Sequence, residues 1–242
     1  MAESNFLRAA RGEMVDHVPV WFMRQAGRSL PEYRALRGSG SILQAIADPE
    51  LACEITLQPV RRYGVDAAIL FSDIVVPVEA IGFGVDVVPG RGPVIATPFR
   101  SRTDLDRLRP PSVDEIAHVT RTVELVAAAL TNTDTALIGF AGAPFTVASY
   151  LVEGAPTRTF GVIKGMMHSD PVLFDALMDA LVPITVTFLR AQIQHGAQAI
   201  QLFDSWAGSL TRDEYTRFAL PATKKVLAGI SAVSYTHLRA HE

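Results

Sequence analysis

Arg24, Arg28, Arg34 and Arg37 fall within fourteen residues, with Gly27 and Pro31 shaping the backbone around them. A guanidinium stays charged at any working pH, and its planar fork matches a carboxylate bidentately, so such a cluster can grip an anionic substrate. A solvated basic segment accounts for the same charges, because the chain is rich in arginine: of 22 Lys and Arg residues only Lys164, Lys224 and Lys225 are lysines. Asp73 supplies an acceptor just past an apolar run, where it also fits an N-cap for the next helix. Tyr150 and Ser205 add hydroxyls whose structural readings are a half-buried helix tyrosine and a helix cap. His17 and His195 stand alone, one at a strand start and one near a helix C-terminus where positive charge is favoured, and both read as structural. Cys53, the one cysteine, reads as core. It leaves no internal disulfide or multi-cysteine zinc site and fits a reducing compartment.

The elements that must position these groups alternate short apolar strands with long amphipathic helices, which predicts an α/β fold. Strands are expected at residues 17–22, 66–71, 135–140 and 199–203. Helices are expected at 31–37, from Ser41 through 47, from Asp48-Pro49 to a stop at Gly64, from Ser112 or Asp114 to about 130, at 144–153 and 157–168, from Asp170-Pro171 toward His195, and from 211 to 230. Aspartate as N-cap with proline in the first turn is a start signal, glycine past the last turn is a stop, and Pro183 can kink the longest helix. Residues 85–88 and 94–97 flank Pro89-Gly90-Arg91-Gly92-Pro93, which reads as a hairpin with Gly90-Arg91-Gly92 at its tip.

Each strand ends in phenylalanine and is followed at once by polar or small residues. These are Met23-Arg24-Gln25, Ser72-Asp73, Ala141-Gly142-Ala143-Pro144 and Asp204-Ser205-Trp206. Phenylalanine can simply fill the end of a core strand. If strands separated by helices are parallel, however, all four sets share the carboxyl edge of one sheet, where barrels and doubly wound sheets build their active sites.

With 242 residues, 49% hydrophobic and 19% charged, the chain has the apolar content for one globular core. A formal charge of -3 and a pI near 6.1 oppose a general nucleic-acid or anionic-membrane surface. No apolar run approaches a membrane span and the N-terminus lacks a signal peptide's apolar core, so the expectation is a cytoplasmic protein without membrane or nucleic-acid partners. Gly-Lys-Ser/Thr and Gly-x-Gly-x-x-Gly are absent, which removes the nucleotide-binding motifs. Residues 231–242, SAVSYTHLRAHE, follow neither period and hold two of the six histidines. They read as a non-native tail, with a histidine-rich metal tract as the alternative.

Taken together, Pro19 through Arg28, Leu30-Pro31-Glu32-Tyr33, Leu57-Gln58-Pro59, Phe71-Ser72-Asp73-Ile74, Pro144-Phe145-Thr146 with Tyr150 and Glu153-Gly154, and Gln201 through Gly208 resemble the uroporphyrinogen decarboxylase family in order and spacing. The resemblance covers roughly residues 6–230. Ser29 departs from the aromatic residue expected after the second arginine and leaves Arg28 intact.

The resemblance implies a (β/α)8 TIM-type barrel, of which residues 1–230 supply about four βα units. It also implies cofactor-free, metal-free decarboxylation of the four acetate side chains of uroporphyrinogen to coproporphyrinogen, in a protein that is a homodimer when full length. Asp73 would accept hydrogen bonds from pyrrole N–H groups and oppose positive charge on the macrocycle. Arg24 and Arg28 would hold carboxylates, with Arg37, Tyr150 and Ser205 as further substrate contacts. Arg24 is placed with Asp73 as catalytic, its part left between grip and proton donor. A part-barrel exposes a strand edge and apolar helix faces, so association or poor solubility is expected. The alternatives are a non-catalytic fragment that at most binds porphyrinogen, and a corrinoid or thiol methyltransferase on the same fold, which needs a thiolate-bearing zinc site.

Overall fold

A computed structural model describes residues 4–27, 30–38, 40–88 and 92–231. In chain order the helices and strands are α1 (Asn5–Ala10), α2 (Pro31–Arg37), α3 (Ile42–Ile46), α4 (Pro49–Tyr63), β1 (Ala67–Ile69), α5 (Val76–Ala80), β2 (Val85–Val88) and β3 (Gly92–Ile95). They continue with α6 (Ala117–Leu130), β4 (Ala136–Gly142), α7 (Pro144–Glu153), α8 (Gly161–Ser169), α9 (Pro171–Gln194), β5 (Ala199–Phe203), α10 (Arg212–Glu214) and α11 (Leu220–Ser231).

The expected start and stop chemistry is in place. Ser41 forms a capping box with Gln44 ahead of α3. The Asp48 and Asp170 side chains accept from the Leu51 and Leu173 amides, each with proline in the first turn. Gly64 ends α4 in the left-handed region at φ 61°. The strands expected at 66–71, 135–140 and 94–97 run at 67–69, 136–142 and 92–95, and two helical stretches also differ. Residues 157–160 stay outside α8, and the stretch 211–230 divides into α10, a π-helical turn at Tyr215–Ala219, and α11. α11 reaches Ser231, one residue past the expected boundary, and 232–242 lie outside the described residues.

β1, β4 and β5 form one parallel sheet in chain order, Ile69 opposite Ile138 and Phe140 opposite Gln201. Right-handed crossovers between strands that add in one direction put their helices on one side, as in a barrel wall. β2 and β3 form a separate antiparallel hairpin in which Gly92, expected at the tip, pairs with Val88 as the first residue of β3, while Gly90 and Arg91 lie outside the described residues.

The expectation of a strand at 17–22 is corrected: the segment lies beside β1 without joining the sheet. One backbone bond links them, from the Asp66 amide to the Val20 carbonyl at 2.9 Å. The Val20 amide instead donates to the Asp66 carboxylate at 2.7 Å, and the Phe22 amide donates to the Gln25 side chain at 3.0 Å. Side chains have taken the amides a ladder would use. Nor does burial enforce a register, since Val18 is 82% and Phe22 56% exposed.

One core lies between the sheet and α4, α6, α9 and α11, around Ile55, Val123, Leu137, Ile138 and Phe188. A second lies under the hairpin, where Phe83, Phe99, Phe145, Leu151 and Phe174 meet α7, α8 and α9. α9 has the length and mean hydropathy (1.9) to cross a bilayer. Its Leu173, Leu177, Leu181, Ile184 and Phe188 are buried at helical spacing, which is the pattern of a core helix.

Candidate active site

β1 ends at Ile69, and Leu70-Phe71-Ser72 carries the chain to Asp73 at the carboxyl edge of the sheet. There the Asp73 carboxylate accepts from the Val75 amide at 3.1 Å and its carbonyl from the Val76 amide at 3.2 Å. The residue closes an Asx-turn ahead of α5, whose N-cap is Val75 without a side-chain bond, so the expected N-cap role is corrected. It does more: burial pushes its carboxyl above the ordinary carboxylate range, against the opposing pull of the Val75 amide and the Arg24 guanidinium.

Arg24 sits exposed in a tight turn from which its charge acts on that carboxylate. The Gln25 amide donates to the Phe22 carbonyl at 2.9 Å, and Arg24 between them has φ 61°, a left-handed conformation that L side chains rarely adopt.

Tyr150 arrives from α7, which Pro144 starts directly after β4 and Gly154 stops at φ 80°. Burial raises its phenol pKa, hydrogen bonding to Trp206 lowers it, and it feels the charges of both Asp73 and Arg24. Trp206 also meets the Tyr150 ring edge-on at 5.8 Å. The charges of Arg24, in the turn at 22–25, and Asp73, in the loop after β1, thus both act on Tyr150, midway along α7.

Gly142 lets these starts approach. A Cβ there would sit 2.8 Å from Val147 and 3.0 Å from Ile74, so only glycine allows the Asp73-Ile74 turn and α7 to close on the end of β4.

The other expected residues fall as follows. Ser205 is exposed on the loop after β5, between Asp204 and Trp206. Arg37 ends α2 with its guanidinium over the Tyr33 ring at 5.9 Å, and Tyr33 meets Phe71 edge-on at 5.9 Å, so it is tied to the site through aromatic rings. Its Nη2 donates to the Gly40 carbonyl, while its Nε is buried without a partner. Arg28 lies outside the described residues. His17 pairs with Asp66 at 2.6 Å and His195 with the Ala191 carbonyl at 2.7 Å, structural roles both. Cys53 is half-buried against the core. Among the described residues no group of three His, Cys, Asp or Glu could hold a metal ion.

Two features had no sequence signal. Asp204 accepts from the Thr146 hydroxyl at 2.7 Å, and Thr146 accepts from the Trp206 amide at 3.1 Å, pinning the β5 loop to α7 one turn before Tyr150. Gln25, read only as part of a motif, is buried and links the arginine turn to β1.

The sequence profile of the family described as uroporphyrinogen decarboxylase (URO-D) matches residues 1–240. The chain is 53% identical over 230 residues to the uroporphyrinogen decarboxylase of Salinispora tropica, an alignment covering 95% of this chain and 62% of that protein. It is 55% identical over 229 residues to that of Streptomyces coelicolor, covering 95% and 64%. The chain therefore spans a little under two thirds of the length of these relatives. A solved methyltransferase from Methanosarcina mazei matches with a TM-score of 0.78 over 99% of this chain and 69% of that one, at 21% identity, a likeness of fold.

Proposed function

Since this chain belongs to the uroporphyrinogen decarboxylase family, we propose that it carries the substrate-gripping part of a cofactor-free carboxy-lyase. That enzyme converts the four acetate side chains of uroporphyrinogen III to the methyl groups of coproporphyrinogen III. The observation that most supports this reading is the position of Asp73 in the loop after β1, closed against α7 at Gly142, beside an arginine turn that Gln25 ties to β1.

Each decarboxylation exchanges CO2 for a proton. A ring carbon of the pyrrole takes up a proton, and the resulting cation draws in the electron pair of the breaking bond to the carboxylate. CO2 leaves, a second proton adds to the exocyclic carbon, and loss of the ring proton restores the pyrrole with a methyl group. The substrate is its own electron sink, so the protein has to orient it and stabilise charge. Asp73 accepts the pyrrole N–H groups and, in a recess that solvates it poorly, gains most when positive charge builds beside it. Arg24, Arg28 and Arg37 hold carboxylates. A guanidinium holds its proton too tightly to be a good acid, which favours grip over proton donation for Arg24. Tyr150 and Ser205 supply hydroxyls to the same ligand. The full-length protein is read as a cytoplasmic homodimer.

Turnover of uroporphyrinogen III, followed by chromatography of the products after oxidation, tests this. Asp73→Asn is expected to lower the rate about a hundredfold or more, as loss of a charge aimed at the reacting centre does. Unchanged turnover would sink the assignment. Running the assay on the 242-residue chain beside a full-length relative separates catalysis from a fragment that binds porphyrinogen without turning it over.

A further inference from the structure

We propose that Gln25 is the positioning residue of the arginine turn, its side-chain amide standing between the Phe22 N–H and the Ala67 carbonyl and thereby fixing where Arg24 can reach. Its importance for substrate rests on the reading of Arg24 given above.

Gln25 is only 5% exposed although its neighbours Phe22, Met23 and Arg24 are exposed. Its Oε1 accepts from the Phe22 amide at 3.0 Å and its Nε2 donates to the Ala67 carbonyl at 2.9 Å. Its own backbone amide closes the turn on the Phe22 carbonyl at 2.9 Å. The side-chain amide thus takes the place of a direct bond between the segment before the turn and β1, relaying it through one donor and one acceptor. The alternative holding force, apolar burial, is missing, because Phe22 and Met23 leave 56% and 60% of their surface in water. Polar bonds must therefore hold the turn, and Gln25 makes three of them. They also maintain Arg24 at φ 61°, which an arginine in a free loop would leave. A carboxamide carries a neutral donor and a neutral acceptor side by side, which is what these two partners require. Glutamate could still accept from Phe22 but would set a second oxygen against the Ala67 carbonyl.

The peptide bond after Arg24 is a trypsin site, so the tether can be read directly. In the 242-residue chain, Gln25→Ala is expected to speed cleavage after Arg24 roughly tenfold, the scale of losing two side-chain hydrogen bonds. Cleavage after Arg121, within α6, stays at the parent rate and reports global opening. Gln25→Glu falls between parent and alanine variant. Affinity for uroporphyrin, read by its fluorescence, falls about fivefold in Gln25→Ala and further in Arg24→Ala. Cleavage after Arg24 that does not change, or rises only in step with cleavage after Arg121, overturns the tether. A freed turn with undiminished uroporphyrin affinity overturns the positioning role. If Arg24→Ala binds as the parent does, or the parent does not bind uroporphyrin, the carboxylate-grip reading fails, and proteolysis alone decides the tether.

Discussion

The hydroxyl of Thr146 and the carboxylate of Asp204 meet at 2.7 Å across the junction of α7 and the loop after β5, and the second oxygen of that carboxylate is sealed from solvent without a partner. Burial accordingly pushes the Asp204 carboxyl above its ordinary range, more than the bonds from Thr146 pull it down. A carboxyl raised in the folded state binds a proton there that the unfolded chain releases. Its stabilising contribution is complete below the unfolded carboxyl value near 4 and is lost as pH rises through the folded value. Asp204→Asn removes that titration. Melting temperatures from pH 4 to 7 should fall more steeply for the parent than for the variant, and parallel curves would refute the assignment.

Asp73 has the same sign of shift and a different consequence. Its charge is poorly solvated in the folded protein, so Asp73→Asn should lose less stability than the parent as pH rises from about 4 to 7. The same variant is the one expected to lose turnover. Unfolding in urea across that range, set beside the turnover assay, checks both, and a variant whose stability falls with its activity would contradict the trade.

Gly142 sets the approach of the Asp73 turn to α7. In Gly142→Ala the new methyl meets Val147 and the Ile74 Cβ at distances that force one of them to move. Overpacking of this kind costs about 1–3 kcal/mol. Denaturant titration gives the loss, and a change in the fluorescence of Trp206, which packs from the β5 loop on Tyr150 of α7, reports whether α7 shifts.

Gln192, on α9, is fully buried and bonds the Phe140 backbone twice, accepting from its amide and donating to its carbonyl, both at 2.9 Å. Gln192→Leu preserves the volume and orphans both backbone groups, each worth about 1–3 kcal/mol when left unpaired. A fall in unfolding free energy of about 2–5 kcal/mol is expected from urea titration. A neutral result would mean that β4 finds other partners at Phe140.

Much of the architecture was legible because its determinants are local. Ser41, Asp48 and Asp170 announce helix starts through bonds that span three residues, and Gly64 announces a stop through its own φ. The strand at residues 199–203 matches its observed bounds, and Asp73 and Asp204 lie past the carboxyl ends of β1 and β5 as expected, whereas Ala141 and Gly142 belong to β4 itself. Arginine chemistry and motif order were enough to point to the family.

What the chain folds together could not be read this way. The segment at 17–22 has a strand's composition, yet the Asp66 carboxylate and the Gln25 amide take its ladder bonds, partners 46 and three residues away. No local pattern distinguishes a glutamine that fills a gap beside a strand from one in solvent. The contact of Asp204 with Thr146 joins residues 58 apart, and the desolvation that raises Asp204, Asp73 and Tyr150 comes from whatever packs around them. Residue type and spacing determined which groups could do the chemistry. Which of them are desolvated and which stay exposed was decided only by the tertiary structure, because burial and long-range hydrogen bonds depend on three-dimensional neighbours.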